Sequence, residues 1–155
     1  MRSGREPEWT SSWAGRAALL LWELPQNALG AANLAAQALA GNVRGVEIER
    51  ERVMIEIAGE GGVSLGLFVF FATRDSRFVP VGPENRDHEY GHSIQSRTFG
   101  PLYLLLVGVP SVTRVAYAIA HRKITGRRWG GYYDGWPEKQ ADALGGVDRT
   151  KRPAA

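Results

Sequence analysis

The sequence predicts an α+β fold in which a small β-hairpin or sheet packs against helices. Helix-like patterns over residues 13–40 and after residue 85 flank a segment of strand-like alternation, and glycine or proline separates these segments. The 155 residues, 44% of them hydrophobic, suffice for one domain with a sizeable core. We therefore expect a single domain over residues 13–147, with flexible tails at 1–12 and 148–155.

The N-terminal segment predicts one or two amphipathic helices that end at Gly41. It is rich in alanine but carries Glu23, Gln26 and Asn27, and Pro25 lies inside it. The segment therefore lacks the compact apolar region of a secretory signal. We expect its helices either to pack on the domain or to lie on a membrane surface.

Residues 46–57 alternate apolar and charged side chains at both ends, which predicts a half-buried strand. A glycine-rich turn at 59–62 leads to a second predicted strand, Val63 to Ala72, and the two strands form a predicted hairpin. Residues 62–66 also match the G-x-S-x-G motif of a serine nucleophile. That motif requires a strand, a turn and a helix in succession, whereas strand-like residues follow here, so we reject a serine nucleophile.

Three further helices are predicted in the C-terminal half of the chain. Asn85 is a suitable N-cap for the first of them, and Gly100, followed by proline, is a strong stop signal. The apolar segment 102–122 predicts the second helix. The third helix carries Glu138 and ends at a pair of glycines, 145–146. These helices complete the predicted α+β domain.

The strongly apolar part of the second helix, residues 102–120, raises the question of a membrane. Basic residues at 121–128 follow it, as positive residues follow many membrane spans. However, Pro110 interrupts the segment, Arg114 lies in its middle, and its uncharged part is shorter than the roughly 20 residues of a spanning helix. We therefore favour a buried core helix, with a membrane-spanning helix as the alternative. The protein is expected to be cytoplasmic, with peripheral membrane association as the alternative. The basic residues match no recognised nucleic-acid motif, so no specific nucleic-acid partner is expected.

The most informative motif lies on the first of these three helices. Residues 88–92 read H-E-x-x-H. On a helix, His88 and His92 project from one face about one turn apart, so both can bind the same metal ion. Glu89 between them can take a proton from a metal-bound water and act as a general base. The motif thus indicates a metal, a base and a hydrolytic reaction.

A third ligand is predicted on the last helix. Because the chain contains no cysteine, histidines and carboxylates must hold the metal. A catalytic zinc site has three protein ligands and one open position, and Glu138 can complete such a set around one Zn²⁺. Asp142 lies one turn further along and can accept the N–H of a ligand histidine, which fixes the orientation of the ring. His121 is the alternative third ligand, although the cations around it disfavour a metal.

A hydrolase also needs a group that stabilises the negative oxygen formed during the reaction. His121, Tyr132 and Tyr133 are candidates because each can donate a hydrogen bond. For the two tyrosines, aromatic packing is an equally good interpretation. The sequence leaves the choice among the three open.

H-E-x-x-H followed by E-x-x-x-D resembles the gluzincin group of zinc metallopeptidases, in which a downstream glutamate is the third ligand. A wider set of residues resembles a family of small, largely uncharacterised bacterial proteins. That resemblance extends over about residues 20–147 and is densest after residue 85. It is carried by residues 88–96, 99–103, 108–111, 136–142 and 144–147. The gluzincin resemblance implies zinc at His88, His92 and Glu138, with Glu89 as the base.

The function that we expect is therefore that of a zinc-dependent metallopeptidase acting on a peptide or protein substrate. Peptidases of this type often bind substrate as an added strand at a sheet edge, and Val63 to Ala72 is the candidate strand, although it can equally be a plain core strand. Two alternatives remain open. The chain can be a non-catalytic zinc-binding module, or a membrane-associated processing factor.

Overall fold

The computed structural model describes residues 12–149 and shows the predicted α+β fold, with helices packed around a four-stranded sheet. The helices are α1 (Trp13–Trp22), α2 (Leu24–Leu39), α3 (Asn85–Phe99), α4 (Val109–Thr125) and α5 (Glu138–Gly145). The strands are β1 (Val43–Glu49), β2 (Arg52–Ile57), β3 (Gly62–Leu65) and β4 (Phe68–Phe71). A π-helical segment, Leu104–Gly108, leads directly into α4. The predicted tails lie for the most part outside the described residues.

The helices predicted at the N-terminus are confirmed as α1 and α2. The side chain of Ser12 caps α1 by accepting a hydrogen bond of 3.1 Å from the N–H of Gly15. The second helix gives way to the sheet at Gly41, which adopts a φ of 69°. Local signals therefore placed the helical region and its end, and the structure shows that the region is two helices with a break at Glu23.

The predicted strand over residues 46–57 is two strands rather than one. β1 and β2 form an antiparallel hairpin, and Arg50 and Glu51 adopt φ values of 49° and 59° at its turn. These left-handed conformations are uncommon for residues other than glycine. The prediction was wrong because neither residue is a recognisable turn former.

The predicted strand from Val63 to Ala72 is likewise two strands, joined at Gly66 with a φ of 63°. The predicted hairpin between the two segments is therefore wrong. β2 instead pairs in parallel with β4, and the strand order is β1-β2-β4-β3. β4 is a central strand because it pairs with β2 on one side and with β3 on the other, and its Val69 and Phe70 are fully buried. β3 is left at the edge of the sheet, next to α3.

The motif helix α3 packs on β3 and β4 and is held at both ends. Asn85 is its first residue rather than its N-cap, and the Asn85 side chain donates hydrogen bonds of 2.9 Å to the carbonyls of Gly61 and Ala72. The helix ends at Gly100, as predicted. Gly100 has a φ of 51°, and the Trp22 ring occupies the space where its side chain would lie.

The backbones of α3 and α5 touch. A Cβ atom built on Gly91 would lie 1.9 Å from the carbonyl oxygen of Ala141, and one on Gly145 would lie 2.0 Å from that of Asp87. Both distances are far below van der Waals contact, so only glycine fits at these two positions. The contact brings the first turn of α5, which begins at Glu138, against the middle of α3.

The prediction of a buried core helix after residue 102 is wrong. Among the described residues, the helical segment Leu104–Thr125 is the one that is long and apolar enough to cross a membrane, yet little of it is buried. Its inward face is narrow, with Val107 and Ala118 fully buried. The pattern of apolar residues could not reveal this, because it does not show which face of a helix meets the domain.

We predict that Gly91→Ala lowers the free energy of unfolding by about 1–3 kcal/mol, since the added methyl group must push α5 away from α3. A loss of stability would point to the close contact, because at a helix position without such a contact alanine is more stable than glycine by about 1 kcal/mol. Gly45→Ala is the matched control, since nothing lies within 4 Å of a Cβ atom there. Chemical denaturation measures both, and an unchanged midpoint for Gly91→Ala would contradict the close contact.

Candidate metal centre

Two histidines of α3 and one glutamate of α5 converge in the interior. His88 Nε2 lies 3.0 Å and His92 Nε2 lies 3.2 Å from Glu138 Oε2. All three residues are at most 5% exposed. Atoms that bind a tetrahedral zinc ion at about 2.0–2.1 Å lie about 3.3 Å from one another. His88, His92 and Glu138 therefore form a buried group positioned to bind a metal ion.

Hydrogen bonds select the ring nitrogen that each histidine offers to a metal. Asp142 Oδ1 accepts from His88 Nδ1 at 2.7 Å, and Gln95 Oε1 accepts from His92 Nδ1 at 2.7 Å. The Gln95 amide is itself oriented, because its Nε2 donates to the carbonyl of Pro137 at 3.0 Å. With Nδ1 protonated, each neutral imidazole presents the lone pair of Nε2 to the centre.

Negative charge is concentrated around this centre. Glu89, Glu138 and Asp142 are each at most 8% exposed. Arg149 contacts Asp142 through Nε at 2.5 Å and stacks on the ring of Tyr133. With both imidazoles neutral, the three carboxylates and this guanidinium leave two net negative charges. Burying such charge is costly unless a cation balances it, and a divalent cation balances it fully.

The pKa values of the group show the same preference for a cation. Burial opposes the charged form of His88, but hydrogen bonds to Asp142 and Glu138 outweigh burial and raise the pKa of His88 to about 9. Burial also opposes ionisation of Glu138, yet His88 and His92 hold the pKa of Glu138 well below its usual range. The carboxylates that favour a proton on His88 would attract a metal cation to the same place.

The other oxygen of the Glu138 carboxylate is held by α4. The Ser111 hydroxyl donates to Glu138 Oε1 at 2.6 Å, which leaves Oε2 directed at the histidines. Sequence reasoning missed Ser111, because no local pattern links it to the motif. It also gave Gln95 no role, although Gln95 lies three residues after His92 and shares its helix face. Arg149 was assigned to the C-terminal tail.

Glu89 lies beside the ligands, against the edge strand β3. Burial raises the pKa of Glu89. The Ser64 hydroxyl lies 3.0 Å from Glu89 Oε2, and a Cβ atom on Gly62 would lie 2.6 Å from Glu89 Oε1. The residues that matched a serine-nucleophile motif therefore form the wall against which Glu89 rests. A raised pKa suits a group that accepts and returns a proton near neutral pH.

The centre opens into a cavity of about 590 Å³ between β3 and α4. All three ligands and Glu89 line this cavity. Each residue of β3 lies along one wall, and Val109 and Val112 of α4 lie along another. The cavity therefore places the candidate base, the ligands and the edge of a sheet around one space.

The three candidates for stabilising a negative oxygen lie at different places relative to the cavity. Tyr132 lines the cavity. The Tyr133 ring packs edge-to-face on His88 with the ring centroids 5.2 Å apart, and it lines a neighbouring cavity together with Glu89. His121 lies near the end of α4, where its Nδ1 is 3.1 Å from the carbonyl oxygen of Arg127, and it does not line the cavity. Tyr132 is thus the candidate that the fold brings to the cavity around the metal ligands.

Comparison of the chain with protein-family models, with curated proteins and with solved structures finds no match.

We predict that Asp142→Ala weakens zinc binding about 10–100-fold, because His88 loses the acceptor that fixes its ring. Asp87→Ala on the outer side of α3 is the matched control, since that carboxylate pairs with Arg50 at the surface. Competition titration against a chromogenic chelator measures both affinities. Equal affinities for the two variants would contradict the role assigned to Asp142.

Proposed function

We propose that this protein is a zinc-dependent metallopeptidase. The observation that carries the proposal is the convergence of His88 Nε2, His92 Nε2 and Glu138 Oε2 next to the buried carboxylate of Glu89, in a cavity bordered by a sheet edge. The resemblance to gluzincins points to the same four residues.

Zinc suits the donor set better than the harder cations do. Two imidazoles and one carboxylate match the ligands of known catalytic zinc sites, whereas magnesium and calcium prefer oxygen alone. Three protein ligands also leave one position open to water or substrate. A zinc ion held there would supply a Lewis acid that activates water and polarises a peptide carbonyl.

The chain's own residues would then handle the proton. Glu89 lies next to the ligands and has a raised pKa, so it can accept a proton from the attacking water and return it to the leaving amine. Ser64 holds one oxygen of this carboxylate by a hydrogen bond. Tyr132, which lines the same cavity, is the candidate donor to the negative oxygen of the intermediate.

The edge strand β3 provides a place for the substrate backbone. β3 pairs with β4 on one side and borders the cavity with Gly62, Val63 and Leu65. An extended peptide added to its other side would form main-chain hydrogen bonds and pass beside the metal ligands. One carbonyl of this strand, that of Ser64, already accepts a hydrogen bond from the Tyr103 hydroxyl at 2.9 Å. We therefore propose an extended peptide or an unfolded protein segment as the substrate.

A non-catalytic zinc module is the second candidate. The ligands come from two helices, α3 and α5, so a bound ion would also connect these helices and stabilise the fold. Both candidate functions predict one bound zinc ion, but only the metallopeptidase predicts cleavage of a substrate.

We predict that the purified chain holds one zinc ion and that Glu138→Gln abolishes stoichiometric retention, because an amide is a poor ligand for zinc. Chelation should lower the melting temperature of the parent chain and leave that of Glu138→Gln unchanged. The control Glu47→Gln alters a surface carboxylate of β1 and should retain zinc. Elemental analysis and thermal unfolding measure these outcomes, and full zinc content in Glu138→Gln would displace Glu138 as a ligand.

We predict that Glu89→Gln retains zinc but lowers kcat on a fluorogenic peptide library by about 10²–10⁴-fold, since the amide cannot accept the proton. Glu84→Gln, just before α3, is the control and should cleave as the parent does. Turnover by Glu89→Gln at the parental rate would refute the base role. If the zinc-loaded parent cleaves no peptide, the non-catalytic module is correct.

A further inference from the structure

The solvent side of the segment that leads into and forms α4 is apolar. Six large side chains along it are each between 54% and 84% exposed. They are Leu102, Leu105, Val109, Val112, Tyr117 and Ile124, and we name them the apolar stripe. Their spacing places them on one face of the helix. A monomer in water rarely leaves so many large apolar side chains together in solvent.

The inward side of the same segment carries the polar contacts. Ser111 donates to Glu138, and the Arg114 guanidinium donates to the carbonyl oxygens of Gly131 and Tyr132. A surface helix of a soluble protein has the opposite arrangement, with apolar residues inside and polar residues outside. The outward side of this segment is therefore apolar, and its inward side combines polar groups with the buried Val107 and Ala118, which is a partial inversion of the usual arrangement.

The N-terminal helices repeat this inversion. Glu23 and Gln26 are at most 3% exposed and bond to Ser96 and to the carbonyl of Gly100 in the interior. Apolar residues such as Leu21 point to solvent and are 69% exposed. Because the Trp22 ring lies against Gly100, two residues before the start of the apolar stripe, the two apolar surfaces adjoin.

The charged residues in the sequence segment that contains the apolar stripe are all basic. Residues 101–133 contain five lysine and arginine residues and no aspartate or glutamate. Lys123 and Arg127 lie at or just beyond the end of the stripe, and the neighbouring Arg128 is paired with Asp75 at 2.7 Å. A second copy of this face would bring no acidic partner to these cations. Anionic lipid headgroups beside an apolar layer complement both features at once.

We propose that the apolar stripe docks on the surface of an anionic lipid bilayer, with α4 lying in the plane of the membrane. The 22 residues of Leu104–Thr125 would be about 33 Å long, enough to span the hydrocarbon layer. However, a spanning orientation would draw Arg114, Ser111 and the polar groups that they contact into lipid. The in-plane orientation buries the stripe alone.

This docking has a consequence for the metal cavity, which rests on the proposed peptidase function. Val109 and Val112 belong to the apolar stripe and also line the cavity, while Val63 of β3 lines it from the other side. The cavity therefore opens beside the membrane surface. The substrate class that fits is an extended segment of a membrane-bound polypeptide, close to the lipid.

Vesicle flotation with the full chain carrying Glu89→Gln tests the docking without requiring turnover. We expect this protein to bind vesicles of phosphatidylcholine and phosphatidylglycerol. The added double substitution Leu105→Glu with Val112→Glu should weaken the binding at least about tenfold. Lys123→Gln with Arg127→Gln should reduce binding about thirtyfold on these vesicles and leave weak binding to phosphatidylcholine alone unchanged. Ile48→Glu, at an 84% exposed position of β1, is the matched control.

The docking would be overturned if the protein bound neither kind of vesicle, or if Ile48→Glu reduced vesicle binding as much as the stripe substitutions do. It would also be overturned if the protein were a dimer that the stripe substitutions dissociate while vesicle binding persists. The substrate class is tested with the zinc-loaded parent on one peptide, free or tethered to the vesicle. Faster cleavage of the tethered peptide would support the proposed substrate class, and equal cleavage rates for the free and tethered peptides would refute it. Vesicle binding without cleavage of either peptide would contradict the peptidase and still support the docking.

Discussion

The backbone contact between α3 and α5 is the constraint on which the rest of the site depends. Gly91 lies inside the H-E-x-x-H motif, and the carbonyl of Ala141 fills the space that a side chain would occupy there. Two helices can approach this closely only where side chains are absent. The contact sets the distance between the histidines and Glu138, and it also places Asp142 within 2.7 Å of His88 Nδ1. The metal centre is thus a product of helix packing.

Electrostatics then determine what the centre can hold. Three buried carboxylates surround two imidazoles whose outer nitrogens are already occupied by hydrogen bonds. A neutral ligand would leave this charge uncompensated in a medium of low polarity. The arrangement therefore favours a cation at the Nε2 atoms, and it keeps a nearby carboxylate, Glu89, with a raised pKa. The preference for a cation and the raised pKa of Glu89 both follow from burying these carboxylates together.

The distribution of polar residues connects the centre to the outer surface. The interior of this small domain is rich in polar side chains, because α3 has buried polar residues along most of its length. Helix α2 directs Gln26 towards Ser96 of α3, and α4 directs Ser111 towards Glu138 of α5, so that apolar groups remain for the outside. The apolar exterior is therefore a consequence of a polar interior in a chain that is 44% hydrophobic.

The sequence by itself determined that His88 and His92 lie side by side on the motif helix, since two residues four positions apart share one face of any helix. It also determined where α3 ends, because Gly100 precedes a proline. Only the tertiary structure decided the strand pairing, the roles of Gln95 and Ser111, and the outward direction of the apolar side of α4. Glu138 follows His92 by 46 residues, and its approach depends on how both helices pack. Local sequence patterns determine which residues share one face of a helix or strand and where that element ends. Tertiary packing decides which of these faces contact one another.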